Sequence, residues 1–399
     1  MNMNKIAFNI LTMPVLAVLA VSCGGQDEIY KEWVKKGGYD YPAKAINLSS
    51  VIGYQNVIVN WEKPMDPAVR TATLFWDNYA KSIDVDYADY PDGKVSIEVG
   101  ELEDRSYTFD IVNYDDVGNK SLAAEITVSP YGDGWMVSRS ERTVTSARME
   151  GRDAKIVMSK ATDEMIATRF RYKNLQDEWV ESETVLKPGE NEVTFKDAMK
   201  GKRFEYSSSF CPKAGKDTVW RTWTKSVDGI SYQIDGSRWN VTATNGQYFG
   251  INTPEKIFDG RYDRPAYSWH SSKSDNNKQA FPKILSVDTQ TSAGEEFAFT
   301  GFTFCENNTA ASLRYIKDYT IYVGSSYYNP DDADYLKNFG IPFIGGTLST
   351  SADQYSVNVT QGATGRYMAI VFKNSWNADD GFIDLWEFIP YGYIPSLAD

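Results

Sequence analysis

Residues 256–270 read Lys-Ile-Phe-Asp-Gly-Arg-Tyr-Asp-Arg-Pro-Ala-Tyr-Ser-Trp-His. The stretch holds an Asp-Gly turn, a second aspartate, a tryptophan and the only histidine of the chain. Carboxylate oxygens are hard ligands, so Asp259 and Asp263 are fit to hold a cation such as Ca2+. His270 carries a ring nitrogen fit to face a ligand.

Outward from this stretch the chain reads as strands with long loops. Upstream lies Arg238-Trp239-Asn-Val-Thr-Ala-Thr244; downstream come Phe297-Ala-Phe299, Phe302 and Phe304, then Tyr319, Ile321 and Val323. Arg366-Tyr-Met-Ala-Ile-Val-Phe372 and Leu385-Trp-Glu-Phe-Ile389 follow. Short apolar runs rich in aromatic and β-branched residues predict strands. No amphipathic run is long enough for a core helix. These features define a C-terminal domain over residues 230–395.

The motif order in this domain resembles the discoidin (coagulation-factor type C) family, whose bacterial members include galactose-binding-like carbohydrate-binding modules. The matching pieces are Trp239, Ile257-Phe-Asp-Gly260, Trp269-His270, Tyr319-Thr-Ile-Tyr-Val-Gly-Ser325, Gly365-Arg-Tyr367 and Glu387. The resemblance implies an eight-stranded β jelly roll with ligand loops at one end. It implies a structural calcium on Asp259 and Glu387, helped by carbonyls near Lys256 and Trp386, with Asp263 offering a further oxygen. Arg261 stands where a third side-chain ligand is expected. The alternative for Asp259 is an ion pair with Arg261 or Arg264. The resemblance also places His270 against a sugar hydroxyl. An arginine is expected within Phe304-Cys-Glu-Asn-Asn308 and is not there; Glu306 and Asn307 offer paired acceptors and donors instead. Phe382 matches the aromatic that stacks on a sugar face, and Trp376 shares its loop. The alternative for Phe382 is a core cap.

Upstream, two stretches alternate with period two. In residues 46–130, Val57, Val59 and Trp61 are followed by Ala72, Leu74 and Trp76, by Val95, Ile97 and Val99, and by Tyr107, Phe109 and Ile111. Pro91-Asp92-Gly93 and Asp115–Asn119 supply turns. About seven strands in this length predict a sandwich. Trp61 with Pro64, Leu102-Glu-Asp-Arg-Ser-Tyr107 and Asp116-Val-Gly-Asn-Lys-Ser121 resemble a fibronectin type III-like domain, with Tyr107 as the corner tyrosine bonding nearby backbone. Residues 135–227 repeat the architecture without repeating the sequence, with Ile156 and Met158, Phe170 and Tyr172, Val193 and Phe195, and Phe204 and Tyr206 facing inward. Trp220 and Trp223 either seal the contact with the next domain, which is the expectation, or form an exposed aromatic patch. The acidic pairs Asp84/Asp86 and Asp115/Asp116 read as solvated surface.

At the N-terminus, Lys5 precedes an apolar run to Val21 and then Ser22-Cys23-Gly24. The run is too short for an ordinary membrane span. It resembles a bacterial lipoprotein signal over residues 1–22, which implies a lipid on Cys23 and a tether over 23–45. The acidic pair in Gly24-Gly-Gln-Asp-Glu28 resembles the export signal of surface lipoproteins of the Bacteroidetes. The expected location is therefore the outer membrane, lipid-anchored and facing the exterior.

A formal net charge of −13 on 399 residues argues against nucleic-acid binding, which needs a basic patch. Three cysteines make no disulfide framework, and Cys211 and Cys305 read as buried free thiols. One histidine rules out multi-histidine zinc sites, and no Gly-x-Ser-x-Gly elbow occurs. A carboxylate-pair glycosidase leaves no local signature, and nothing supports one. The expected function is glycan binding, without catalysis, as an accessory of polysaccharide utilisation, with oligo- or polysaccharide and other surface lipoproteins as partners. The alternative is a protein-contact or adhesin subunit with no sugar site.

Overall fold

The computed structural model describes residues 41–244, 248, 250–261, 268–271, 281–306, 315–349, 353–376 and 383–399. The signal, Cys23, Asp263, Asn307 and Phe382 lie outside them. One compact unit ends at Gly132 and a second runs from Asp133 to Asp399.

The first unit contains a seven-stranded sandwich. Strands β1 (Ile46–Ile52), β2 (Val57–Glu62) and β5 (Lys94–Val99) form one sheet; β3 (Thr71–Trp76), β4 (Lys81–Asp86), β6 (Tyr107–Tyr114) and β7 (Ala124–Val128) form the other, in the order β4-β3-β6-β7. In β2 the alternation is complete: Val57, Val59 and Trp61 are buried, and the residues between them are half-buried. The core holds a satisfied polar chain. The Trp61 Nε1–H donates to the Tyr87 hydroxyl at 3.0 Å, which donates to Asn113 Oδ1 at 2.8 Å. Tyr107 makes the expected corner, its hydroxyl accepting from the Glu103 N–H at 3.0 Å. The acidic pairs serve local turns: Asp86 caps a short 3-10 turn through the Ala88 N–H, and Asp115 accepts from the Val117 and Asn119 amides.

The second unit begins with another sandwich. Its sheets are β12 (Glu192–Phe195), β9 (Asp153–Met158) and β8 (Val144–Glu150) in that order, against β11 (Trp179–Glu181), β10 (Met165–Lys173) and β13 (Glu205–Phe210), the last extended by β14 (Val219–Trp220) and β15 (Thr224–Lys225). The eight residues expected inside are all buried. The Tyr172 ring stacks on Phe195 with centroids 4.4 Å apart. Arg142, 1% exposed, has its charge met by three carbonyls, those of Ser159, Lys187 and Glu190. Cys211 is half-buried rather than buried, and it and Cys305 are free thiols.

Trp220 and Trp223 do not seal the contact with the next domain. They interleave with arginines of β10 on the outer face of the sheet, in the order Trp179–Arg171–Trp223–Arg169–Trp220. The guanidinium-to-ring distances along this ladder are 5.5, 4.7, 4.7 and 4.5 Å. The reason is register. Arg169 and Arg171 project from one face of β10, and the guanidinium planes cover the indoles better than apolar side chains of another domain would.

The rest of the unit is a jelly roll of two five-stranded sheets. One runs β16 (Tyr232–Gln233), β25 (Asp384–Tyr393), β20 (Phe297–Glu306), β23 (Gln354–Gly365), with β18 (Trp269–His270) also on β25; the other runs β17 (Asn240–Ala243), β19 (Lys283–Asp288), β24 (Tyr367–Phe372), β21 (Asp318–Gly324), β22 (Ile344–Thr347). Among the described residues eight of these strands have four residues or more, and the two-residue β16 and β18 supplement them. The core between the sheets is aromatic: Phe302 and Phe304 lie 5.0 and 5.1 Å from Phe388, and Trp269 lies 5.7 Å from Phe372.

The jelly roll is fastened to the second sandwich at two places. Near its start, the Ser231 N–H donates to the Ala147 carbonyl and the Met149 N–H to the Ser231 carbonyl, at 2.9 and 2.8 Å. Past its last strand, Ala398 accepts from the Arg203 N–H, and the Asp399 side chain meets Arg203 and Lys225 at 3.0 and 2.8 Å.

Candidate functional site

The opening stretch begins in a 3-10 turn, Pro254–Phe258, with a proline in its first turn and Ile257 and Phe258 buried in the core. Asp259 ends the turn, and Gly260 follows in the left-handed region at φ +74°, where a side chain is strained. That conformation aims the Gly260 N–H at Glu387 Oε1, 3.2 Å away on β25. Asp259 Oδ1 accepts from the Arg261 N–H at 3.0 Å. Asp259 and Glu387 together line a cleft of 390 Å³. Glu387 is 6% exposed, and burial, reinforced by the Asp259 charge, pushes its carboxyl up to about 8. Its second oxygen is buried without a hydrogen-bond partner. Lys256 stands 3.8 Å from Asp259 Oδ2; Arg264, one of the two arginines of the alternative pairing, lies outside the described residues. Among the described residues no three acidic, histidine or cysteine side chains converge on one point. A cation here would rest on two carboxylates and on backbone oxygens.

Three other residues singled out from sequence gather at one pole of the jelly roll. The register fixes this. Lys283, Tyr319 and Phe372 stand side by side at one end of the β17-β19-β24-β21-β22 sheet, and Cys305, Gln354 and Glu387 follow Trp269–Leu385 at the same end of the other. The connections β18–β19, β20–β21, β22–β23 and β24–β25 all cross between the sheets there.

His270 sits on β18 opposite Asp384, with Nε2 3.8 Å from Asp384 Oδ1 and only 9% of the residue exposed. It stands behind the pole rather than open upon it. Glu306 is the last residue of β20 and is also buried. Its Oε1 accepts from the Ile316 N–H at 2.7 Å, and burial pushes its carboxyl up to about 8. It fastens the β20–β21 connection at its far end. Next to it the Cys305 thiol is pushed up to about 12 by burial and the two glutamates.

Trp376 is the residue that faces out, at 43% exposure. Its Nε1–H donates to the Leu348 carbonyl and its N–H to the Tyr315 carbonyl, both at 3.0 Å. Asn374 fixes the segment by exchanging hydrogen bonds with Asp318 at 2.8 and 2.7 Å. Lys317 lies 4.7 Å from the indole centroid. An indole pinned through its own N–H on a fastened segment loses little entropy on contact with a ligand, and the ammonium beside it adds a donor.

Asp259 and Glu387 form a second centre. Asp384 and Glu387 are three positions apart on β25, roughly 10 Å in an extended strand. Sequence reasoning missed Lys317 and Asp384. Lys317 is 59 positions from Trp376, and only the β21–β24 register joins them.

Several solved structures are similar to this chain at low identity. A family 32 carbohydrate-binding module of C. perfringens NanJ, solved with galactose, is 17% identical, with 41% of this chain and 99% of that one covered and a TM-score of 0.32. A fucolectin from striped bass (Morone saxatilis) serum is 11% identical over 74% of this chain and 86% of its own, with a TM-score of 0.32. A SusE-like protein is 10% identical over 87% and 97%, with a TM-score of 0.30. No curated protein sequence matches the chain. Residues 23–217 match a family described as a domain of unknown function (DUF4998).

Proposed function

We propose that this is a lipid-anchored outer-membrane protein that binds glycan at the loop pole of its C-terminal jelly roll, as a non-catalytic accessory of polysaccharide utilisation. The observation that carries the reading is Trp376: an exposed indole pinned by its Nε1–H to the Leu348 carbonyl, with the Lys317 ammonium beside it. A flat indole matches the C–H face of a pyranose ring, and in this reading Asn307 and Phe382, next in sequence to Glu306 and Ile383, add contacts to the sugar. His270 and Glu306 then support the pole from behind. Cys23 carries the anchor in this reading. Asp259 and Glu387 would hold a Ca2+ ion that neutralises the buried carboxylate and locks the Asp-Gly turn to β25, with Asp263 within its loop as a further oxygen. The partnerless buried oxygen of Glu387 supports that fit.

A glycan panel tests the reading on intact cells and on purified protein. Wild type binds in both formats. Cys23→Ala keeps the solution affinity and loses the cell-associated signal. Trp376→Ala weakens binding about fivefold, the equivalent of ~1 kcal/mol of aromatic contact. A panel with no hit, together with capture of a protein partner from the outer-membrane fraction, overturns it in favour of a protein-contact subunit. Two observations favour that second reading: His270 is nearly covered, and an Arg–Trp ladder is exposed on the second sandwich.

A further inference from the structure

Between the second sandwich and the jelly roll lies an open groove of 470 Å³, bounded by β8 and β23. Each is the edge strand of its sheet. Thr143, Thr145 and Thr300 line the groove, the Thr300 hydroxyl donating to the Tyr391 carbonyl at 3.3 Å, and Arg148 and Asn358 meet across it. The Arg148 guanidinium lies 3.8 Å from the centroid of the Tyr391 ring, and Nη2 donates to Asn358 Oδ1. Gly301 makes the arrangement possible, because a Cβ there would stand 2.9 Å from that Nη2 and 2.5 Å from the Val357 carbonyl oxygen.

Arg148, like Arg169 between its two indoles, meets no carboxylate at ion-pair distance among the described residues. Arg171, Arg203 and Arg366 each meet a carboxylate, and buried Arg142 meets three carbonyls. Half-buried Arg148 brings five N–H donors to one amide oxygen, with no ion pair among the described residues. Burial disfavours the Arg148 charge, the Glu150 carboxylate offsets this only from beyond ion-pair distance, and an anion entering into direct contact relieves it. The volume falls within the range of small-ligand pockets, and junctions between domains are favoured places for them.

We propose that this groove binds a sugar acid, one uronate unit in size, with its carboxylate on Arg148 and its hydroxyls on the threonines. The carboxylate answers the guanidinium, and the hydroxyls answer Thr143, Thr145 and Thr300. The groove is separate from the loop pole. Tyr391 is seven positions along β25 from Asp384, roughly 23 Å in an extended strand.

Calorimetric titration of the protein with glucuronate and galacturonate, against glucose and galactose, tests the proposal. Wild type binds the uronates at least tenfold tighter than the neutral sugars, and raised salt reduces the difference. Arg148→Gln abolishes the preference. Val227→Trp narrows the mouth at an exposed position without touching the guanidinium, and lowers uronate affinity about tenfold even if Arg148→Gln fails to fold. Trp376→Ala leaves uronate binding unchanged, which separates this site from the loop pole. Equal affinity for uronate and neutral sugar, absence of uronate binding in wild type, an unchanged preference in Arg148→Gln, or an unchanged uronate affinity in Val227→Trp overturns the proposal.

Discussion

Replacing Glu306 by glutamine should make the jelly roll more stable at neutral pH and flatten its response to pH. Glu306 is 4% exposed and its carboxyl is raised from 4.5 to about 8, with burial as the cause. Between those two values the folded protein holds a proton that the unfolded chain has released. Stability is then full below about pH 4.5 and falls as pH rises, by ~1.4 kcal/mol per unit, until it levels off near pH 8. At pH 7.5 the loss is on the order of 4 kcal/mol for this one group, which is large against a domain's total. Glutamine keeps an oxygen for the Ile316 N–H and has no charge to bury. Calorimetric melts at half-unit steps from pH 5 to 8 give the measurement. The expected result is a wild-type midpoint for the second unit that drops with pH and a Glu306→Gln midpoint that drops less. Glu387, also raised to about 8, supplies the residual slope, and Glu387→Gln in addition should remove it. Parallel wild-type and Glu306→Gln curves would show that Glu306 titrates as a solvated carboxyl and would refute the reasoning.

Two further outcomes follow from single contacts. Tyr107→Phe removes the hydroxyl that accepts from the Glu103 N–H, and urea unfolding of the first unit should show a loss of about 1 kcal/mol; no change would mean that water replaces the bond fully. Gly260→Ala places a side chain at φ +74°, at a cost of about 1 kcal/mol in the melt of the second unit. If Asp259 and Glu387 hold Ca2+, the same variant loses any midpoint increase that Ca2+ over EDTA gives wild type, an increase larger at pH 8 than at pH 5 because the ion competes with the Glu387 proton.

The strands were legible because burial follows period two. Val57, Val59 and Trp61, or Phe302 and Phe304, announce their faces without reference to any other part of the chain. The Tyr107 corner was legible for a similar reason: its partner lies four residues away. The site was less legible. His270 has an exposed-looking context in sequence, yet β18 pairs it with Asp384 and covers it. Glu306 was named for its polarity, and polarity does not reveal that a carboxyl at the end of a strand turns inward to hold a backbone amide. Trp220 and Trp223 were assigned to an interface because large apolar surfaces seek burial, but arginines two apart on β10 offered a nearer cover. Arg148 carried no signal at all, because only the folded chain sets its guanidinium against the Asn358 amide and the Tyr391 ring, with Glu150 acting from beyond ion-pair distance.

The double fastening of the jelly roll has a mechanical consequence. A module hung from a neighbour by one peptide segment can swivel about that segment, and the direction of its outer end is then undefined. Here Ser231 and Asp399 grip the sandwich at separate points, so torsion at the joint must break hydrogen bonds at one of them. Within this unit the loop pole keeps a set bearing relative to β8, and drag on anything held there is transmitted to both grips at once.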